Sequence, residues 1–403
     1  MSEWKKVRLK DCCHSISDGD HLPPPKSDSG VPFVTIANID ATNHIDFGNT
    51  MFVPYEYYNN LNDIRKAKFN DILYSVVGSF GKPVLIKENK PFAFQRHIAI
   101  LRPNKLIVDS RFLYYVMLSR DFYMQADTVA IGAAQRTISL TALRNMEVEL
   151  PSMEIQHRIA TILSRYDSLI ENYQKQIKLL EEAAQRLYKE WFVDLHFPGH
   201  ENTKIVDGVP EGWEKKKVKE VCDTTSGGTP SRSKTEFYTG DILWVKTKEL
   251  NDDFIFDTEE KITEDAIRNS SAKMVPSGSI LMAMYGATIG KLGIATKELS
   301  CNQACCVFLL PEDSTLRLYL YNWLLNSRTL LISMGKGAAQ PNLSQDMIKN
   351  LEVVVPSSCL LAKFDSKVKP LYRIMSYHSF QLRLLTEARD RLLPKLMSGE
   401  ITV

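Results

Sequence analysis

The sequence predicts an α+β protein that is one unit written twice. Two mixed α/β domains are joined by two long antiparallel helices forming a coiled coil, and the whole has an internal pseudo-two-fold repeat. Three observations predict this. The tetrapeptide GAAQ occurs at residues 132–135 and again at 337–340, and the text after each copy aligns without a gap. Two long, charged, glycine-free stretches carry apolar residues at steps of three and four. Short β-rich runs bounded by turn residues fill the segments before them.

The repeat extends well beyond the tetrapeptide. Ser139, Asn145, Glu147, Val148, Pro151 and Ser152 fall on Ser344, Asn350, Glu352, Val353, Pro356 and Ser357. At the same offset Glu182, Ala183, Arg186 and Leu187 fall on Glu387, Ala388, Arg391 and Leu392. Upstream, GSFGK at 78–82 echoes GATIGK at 286–291, and Trp4, Lys6, Lys10 and Cys13 echo Trp213, Lys215, Lys219 and Cys222. The predicted order is a domain over 1–152, a helix over 153–196, a linker and second domain over 197–357, and a helix and tail over 358–403.

In the first domain VPFVTIA, DILYSVVG and FAFQRHIAILRP read as strands; in the second, GDILWVKT, GSILMAMYG and CCVFLLP do. Residues 111–120 and 316–327 have the spacing of short amphipathic helices. The first long helix sets Ile155, Ile159, Ile162, Tyr166, Leu169, Tyr173, Ile177, Leu180, Ala184, Leu187 and Trp191 on one seam, with a stutter between Tyr173 and Leu180. The second sets Leu361, Phe364, Val368, Leu371, Met375, His378, Leu382, Leu385, Arg389, Leu392 and Leu396 on another. A period near 3.5 means a helix packed on a helix. FPG at 197–199 closes the first, and Pro394 is expected to end the second near residue 393. His378 reads as a polar seam residue that helps fix register.

Composition bounds the function. In 403 residues, 44% hydrophobic and 24% charged, a real core is expected. That length usually means two or more domains. A net charge of +2 means that any nucleic-acid binding must rest on local patches. No run reaches the ~18 apolar residues of a membrane span. Seven cysteines, an odd count without a spaced framework, fit reduced thiols in a cytoplasmic protein.

Cofactor and metal motifs are missing. GATIGKLG resembles a phosphate loop, but only three residues separate Gly286 from Gly290-Lys291 and Leu292 follows; a tight turn between strands accounts for it better. CNQACC at 301–306 is a single cysteine cluster with no histidine near, so buried strand thiols are expected rather than zinc. There is no G-x-G-x-x-G after a strand, no Asn/Asp-Pro-Pro loop of an adenine methyltransferase, and no nuclease-like carboxylate arrangement. No catalytic residue, metal site or cofactor of this chain's own is expected.

Residues 212–250 (GWEKKKVKEVCDTTSGGTPSRSKTEFYTGDILWVKTKEL), GAAQPNLSQDMIKNLEVVVP, LYKEWFVDLHFPG and the C-terminal RLLPKLMSGEITV resemble the specificity subunits of Type I restriction–modification enzymes. The resemblance covers the whole chain in the order recognition domain, helix, recognition domain, helix. It departs most at SDGDHLPPPKSDSG (17–30), where the second copy has SGGTPSRSKTEFYTG. It implies a non-catalytic subunit that binds a bipartite, asymmetric site in double-stranded DNA, one half per recognition domain. The helices would act as spacer and as dock for two methyltransferase subunits carrying S-adenosylmethionine. Restriction subunits, where present, would bring ATP and Mg. The alternative is a two-headed adaptor binding protein at each end.

Bases are read mostly by Arg, Lys, Asn and Gln, and phosphates also by Ser and Thr, from loops between strands. In the first domain the candidates are His21, Lys26, Asn38, Ser79, Lys82, Gln95, Arg96, Gln135 and Arg136. In the second they are Thr229, Ser231, Arg232, Lys246, Thr247, Lys248, Tyr285, Thr288, Lys291, Asn302, Gln303, Lys336, Gln340 and Asn342. Gln95-Arg96 is the sharpest pair, two polar side chains inside an apolar run.

Overall fold

The computed structural model describes residues 4–21, 23–40, 42–133, 135–311, 313–335 and 342–403. The chain divides into two compact units, residues 1–170 with 385–403, and residues 171–384.

The first unit contains a four-stranded antiparallel sheet in the order Cys13–Asp18, Ile98–Pro103, Ile72–Ser75, Pro83–Leu85. The central strand Ile72–Ser75 is buried along its whole length, which is why it reads as an unbroken apolar run rather than an alternating one. A three-stranded sheet sets Val31–Val34 between Met51–Val53 and the parallel strand Ala93–Phe94. Lys5–Arg8 pairs with Glu147–Leu150. Two helices, Ser110–Leu118 and Arg120–Val129, start on Asp109 and Ser119, whose side chains accept from the first-turn N–H groups.

The second unit repeats this plan. Its larger sheet runs Asp223–Ser226, Cys305–Leu309, Ile280–Ala283, Leu292–Ala295, and gains a parallel edge strand, Asp253–Ile255. Its three-stranded sheet sets Ile242–Val245 between Lys261–Ile262 and the parallel Ser300–Cys301. Glu214–Lys217 pairs with Glu352–Val355. The duplication expected from sequence is therefore present in strand order and direction as well as in residues. An extra hairpin, Ile205–Val206 with Val209–Pro210, turns through Asp207 and Gly208, both at positive φ as a two-residue hairpin loop requires.

The first long helix is Met153–Tyr188, continued by a wide π turn, Lys189–Val193; it stops where Leu195 takes a left-handed φ of 61°, two residues before FPG. The second is Ser358–Met397. Both begin at the Pro-Ser step, Ser152 and Ser357 accepting from the N–H of Ile155 and Leu360. The expected stop before Pro394 is corrected. Proline there removes one helical hydrogen bond close to the C-terminus, and Ser398 N–H closes the turn on the Pro394 carbonyl at 2.9 Å. Pro370 also lies within this helix, flanked by the buried Val368 and Tyr372.

In the first unit, Ile159, Leu163 and Leu396 share one core with the strands of the four-stranded sheet, and Leu392, Leu393 and Met397 pack against it. The first seam is corrected there: Leu169 is 47% exposed while Leu163 and Ile170 are buried. This part of the helix buries a second face against its own domain, which widens the apolar stripe past a narrow seam. Arg389, a polar residue on the second seam, donates from Nη1 to Asp167 Oδ1 at 2.9 Å, and the Tyr115 hydroxyl donates to Asp167 Oδ2 at 2.5 Å. In the second unit Ala184, Tyr188 and Trp191 share a core with Leu361, Phe364, Val368 and Met375. His378 lies against Tyr173, ring centroids 4.7 Å apart.

Ser379 Oγ donates to Asp253 Oδ1 at 2.7 Å, tying the second helix to the added edge strand. Burial pushes the Asp253 carboxyl above its ordinary value, against the bonds from Ser379 and the Phe254 N–H. A raised acid costs stability above its folded pKa, and the cost disappears as pH falls below its unfolded value. Asp253→Asn keeps both accepted bonds and removes the charge. Its melting temperature at pH 7–8 is therefore expected to equal or exceed that of the wild type, the gap closing toward pH 4; a variant less stable at neutral pH would contradict this.

Candidate nucleic-acid interface

In each unit the loops at one edge of the sheets are hydrogen-bonded to one another. In the first, Asp20 N–H donates to the Phe94 carbonyl and Arg96 N–H to the Asp20 carbonyl, both at 3.1 Å. Val76 N–H donates to the His97 carbonyl and Gly78 N–H to the Arg136 carbonyl, both at 2.9 Å. The four segments around residues 19–21, 76–82, 95–97 and 131–138 therefore form one continuous rim.

The second unit repeats several of these backbone bonds, and the Ile138 N–H to Val76 bond of the first, with different side chains. Gly228 N–H donates to the Cys301 carbonyl, Met284 N–H to Ala304 and Leu343 N–H to Met284, each at 2.9 Å. Asn302 N–H donates to Val245 at 2.9 Å as Gln95 N–H does to Val34 at 3.1 Å. These pairings make Gln95 equivalent to Asn302, and Arg96 to Gln303. Gly19 and Gly227 occupy matching tight spots, where a Cβ would sit 2.1 Å from the Phe94 carbonyl oxygen and 2.0 Å from that of Cys301.

FAFQRHIAILRP, expected as one strand, is two. The chain leaves the three-stranded sheet after Phe94 and enters the four-stranded one at Ile98, with Gln95-Arg96-His97 as the corner. GATIGK is a turn between antiparallel strands, Gly286 and Gly290 both at positive φ. No helix follows it to complete a phosphate loop. Cys301, Cys305 and Cys306 are fully buried strand residues. Among the described residues no group of three or more His, Cys, Asp or Glu is placed to hold a metal ion, and no helix is long and apolar enough to cross a membrane.

The rim gathers His21, Ser79, Gln95, Arg96, Gln135 and Arg136 in the first unit, and Thr229, Tyr285, Thr288, Asn302, Gln303 and Asn342 in the second. Arg96, Gln135, Ser79, Gln303, Asn342 and Tyr285 are exposed. His21 is exposed but bonded to Asp18 at 2.8 Å. Lys26 is exposed on the segment beside the Ser27–Phe52 bridge, apart from the rim loops. Ser231 bonds Ser233, Thr247 is half-buried, and Lys336 and Gln340 lie outside the described residues.

Several candidates have other work. Asn38 is 8% exposed and its amide oxygen accepts from the Thr35 N–H and hydroxyl, at 2.9 and 2.8 Å. It caps a 3₁₀ turn as Glu249 does for Lys246, so its amide oxygen is already engaged in making the turn. The Arg136 guanidinium is bonded to Asp127 and sits over the Phe80 ring. Lys82 Nζ donates to the Ile39 carbonyl at 3.4 Å. Asn302 Oδ1 accepts from the Ala304 N–H at 3.2 Å. Lys291 pairs with Asp252 at 2.8 Å, and Arg328 Nη1 bonds the same carboxylate at 3.1 Å. Burial pushes the Asp252 carboxyl up, but the bonds from Lys291, the Leu292 N–H and Arg328 outweigh it and hold it below its ordinary value.

Arg232 stacks 4.3 Å above Tyr238 and 5.0 Å from the Trp244 centroid, and pairs with Glu260 at 2.9 Å. Lys246 and Lys248 both pair with Glu259. Burial works against the Lys246 ammonium, yet Glu259 and Glu260 raise it above its ordinary value. These cations are preset by carboxylates that a phosphate could replace. The carboxylates, and Arg65, which joins Asp18 and Asp20 at 3.8 and 3.3 Å, were not among the expected site residues. Their partners are far off in sequence and leave no local pattern.

The fold and its loops define a duplicated α/β scaffold that presents two versions of one rim. Residues 1–182 and 210–358 match the family described as Type I restriction modification DNA specificity domain, and the chain belongs to that family. It is 28% identical over 305 residues to the Type I restriction enzyme MjaIX specificity subunit of Methanocaldococcus jannaschii, covering 73% of this chain and 70% of that one. It is 25% identical to the HindI specificity subunit of Haemophilus influenzae, covering 100% of both. The crystal structure of the Type-I restriction-modification system S subunit from M. genitalium shares its fold, with a TM-score of 0.66 at 18% identity, over 98% of this chain and 96% of that one.

Proposed function

We propose that this chain is the specificity subunit of a Type I restriction–modification complex, recognising a bipartite, asymmetric site in double-stranded DNA. Each rim reads one half-site. The observation that carries the reading is the pair of equivalent corners. One backbone arrangement presents Gln95-Arg96 in one unit and Asn302-Gln303 in the other, four side chains of the types that read base edges in the major groove. A shared frame with different readers suits a site whose halves differ.

The chain supplies recognition and leaves catalysis to its partners. Two methyltransferase subunits bring S-adenosylmethionine and methylate adenine N6, and restriction subunits, where present, bring ATP and Mg; the complex works in the cytoplasm. With a net charge of only +2, general attraction to phosphate is modest, so affinity rests on the rims and on the assembled partners. The test is to express the chain with its methyltransferase partner in a host lacking adenine methylation and map N6-methyladenine. The expected result is methylation confined to one motif of two defined halves around an undefined spacer. Methylation without a motif, or at one uninterrupted short motif, would overturn the reading.

A further inference from the structure

Next to the rim's polar side chains stands an aliphatic one held rigidly in water. Ile131 is 70% exposed. Single exposed aliphatics are common on protein surfaces, but they are usually free to lie down on their surroundings. Ile131 is not. Its N–H donates to the Thr137 carbonyl at 3.0 Å, and its carbonyl accepts from the Thr137 N–H at 2.8 Å, closing a tight loop. Gly132 follows at φ +107°, and a Cβ there would meet the Gln135 carbonyl oxygen at 2.6 Å. As a β-branched residue, Ile131 also has little χ1 freedom.

The base of this loop is braced. Gly78 N–H donates to the Arg136 carbonyl at 2.9 Å, and Ile138 N–H to Val76 at 2.8 Å. Arg136 itself is bonded to Asp127 and sits 5.4 Å from the centroid of Phe80, which stacks on Tyr123 with rings 10° from parallel. The tip therefore cannot fold back without breaking the rim. Among the described residues, those beside Ile131 in the loop, Gly132, Ala133 and Gln135, are small or polar, so a flat partner can approach closely. The sequence repeat sets Lys336, which lies outside the described residues, at the position of Ile131 in the second copy.

We propose that Ile131 is a wedge that enters a base step of the half-site read by the first unit, partly unstacking it. This inference rests on the DNA reading above. The ligand is duplex DNA, and the step that opens most easily is pyrimidine–purine. The wedge makes the first unit sensitive to the deformability of a step whose base edges it does not contact, whereas a lysine at that position would favour a phosphate.

The test uses the full chain in complex with its methyltransferase subunits, without S-adenosylmethionine. The duplexes carry the recognised site with 2-aminopurine placed in turn through the first half-site, away from the methylated adenine. The expected result is a severalfold fluorescence rise at one step on wild-type binding. Ile131→Ala should abolish the rise and weaken specific binding about tenfold, and Ile131→Leu should restore both. Non-specific binding and its salt dependence should not change, because no phosphate contact is removed. A complex that binds its site specifically without the fluorescence rise, or with the rise and affinity intact in Ile131→Ala, overturns the wedge alone. A complex with no preference among sequences overturns the DNA reading and the wedge together.

Discussion

Alanine at both Gln95 and Arg96 is expected to weaken binding to the recognised site by roughly 2–4 kcal/mol, about thirtyfold to several-hundredfold. Non-specific affinity should fall far less. The fold should survive, because the corner is held by backbone bonds: Gln95 N–H to Val34 and Ile98 N–H to the Gln95 carbonyl, each at 3.1 Å. Arg96 forms no ion pair among the described residues, so no carboxylate is left unpaired by its removal. Preference should be lost in one half-site only. Gln303→Ala should relax the other half, with a smaller loss because one reader is removed. Binding measured on duplex pools with either half randomised separates these outcomes. Equal loss in both halves, or none, would contradict the assignment of the corners.

Phe364→Ala carries the largest expected stability cost. The ring is fully buried, with Phe192 at 4.9 Å, Trp191 at 6.0 Å and Tyr188 at 6.3 Å between centroids. Trp191 and Phe192 reach it because the π turn Lys189–Val193 adds a residue to the last helical turn and shifts the side chains that follow. Removing a large aromatic from such a cluster costs about 3–5 kcal/mol. That is a large part of the ~5–15 kcal/mol that holds a typical domain folded. Chemical denaturation should show the transition of residues 171–384 moving to much lower denaturant while that of the first unit stays. A change below about 1 kcal/mol would mean that this aromatic cluster is not the second unit's main anchor.

The duplication, the strand runs and the two helices were legible because each leaves a periodic or repeated trace in the chain. Leu361, Phe364, Val368 and Met375 are buried as their spacing requires. The corner at Gln95-Arg96-His97 was not legible, because three polar residues inside a β-rich run do not by themselves mark a change of sheet. At that corner Gly19, far away in sequence, comes so close that a Cβ would sit 2.1 Å from the Phe94 carbonyl oxygen. Asn38 looked like a reader because it follows a strand and is polar; its capping role shows only beside Glu249, which does the same for Lys246. Lys291, Arg136 and Arg232 look free in the sequence, yet each is matched to a carboxylate, Asp252, Asp127 or Glu260. A cation's type is written locally, but its partner is chosen by the fold.

Two rims on one chain, each responsible for half of one site, is the central claim. It is tested most directly by exchanging residues 1–150 for the matching domain of another family member and mapping the methylated motif with the same methyltransferase partner. The expected motif has one half replaced and the other unchanged. A motif altered in both halves, or unchanged in both, would contradict it.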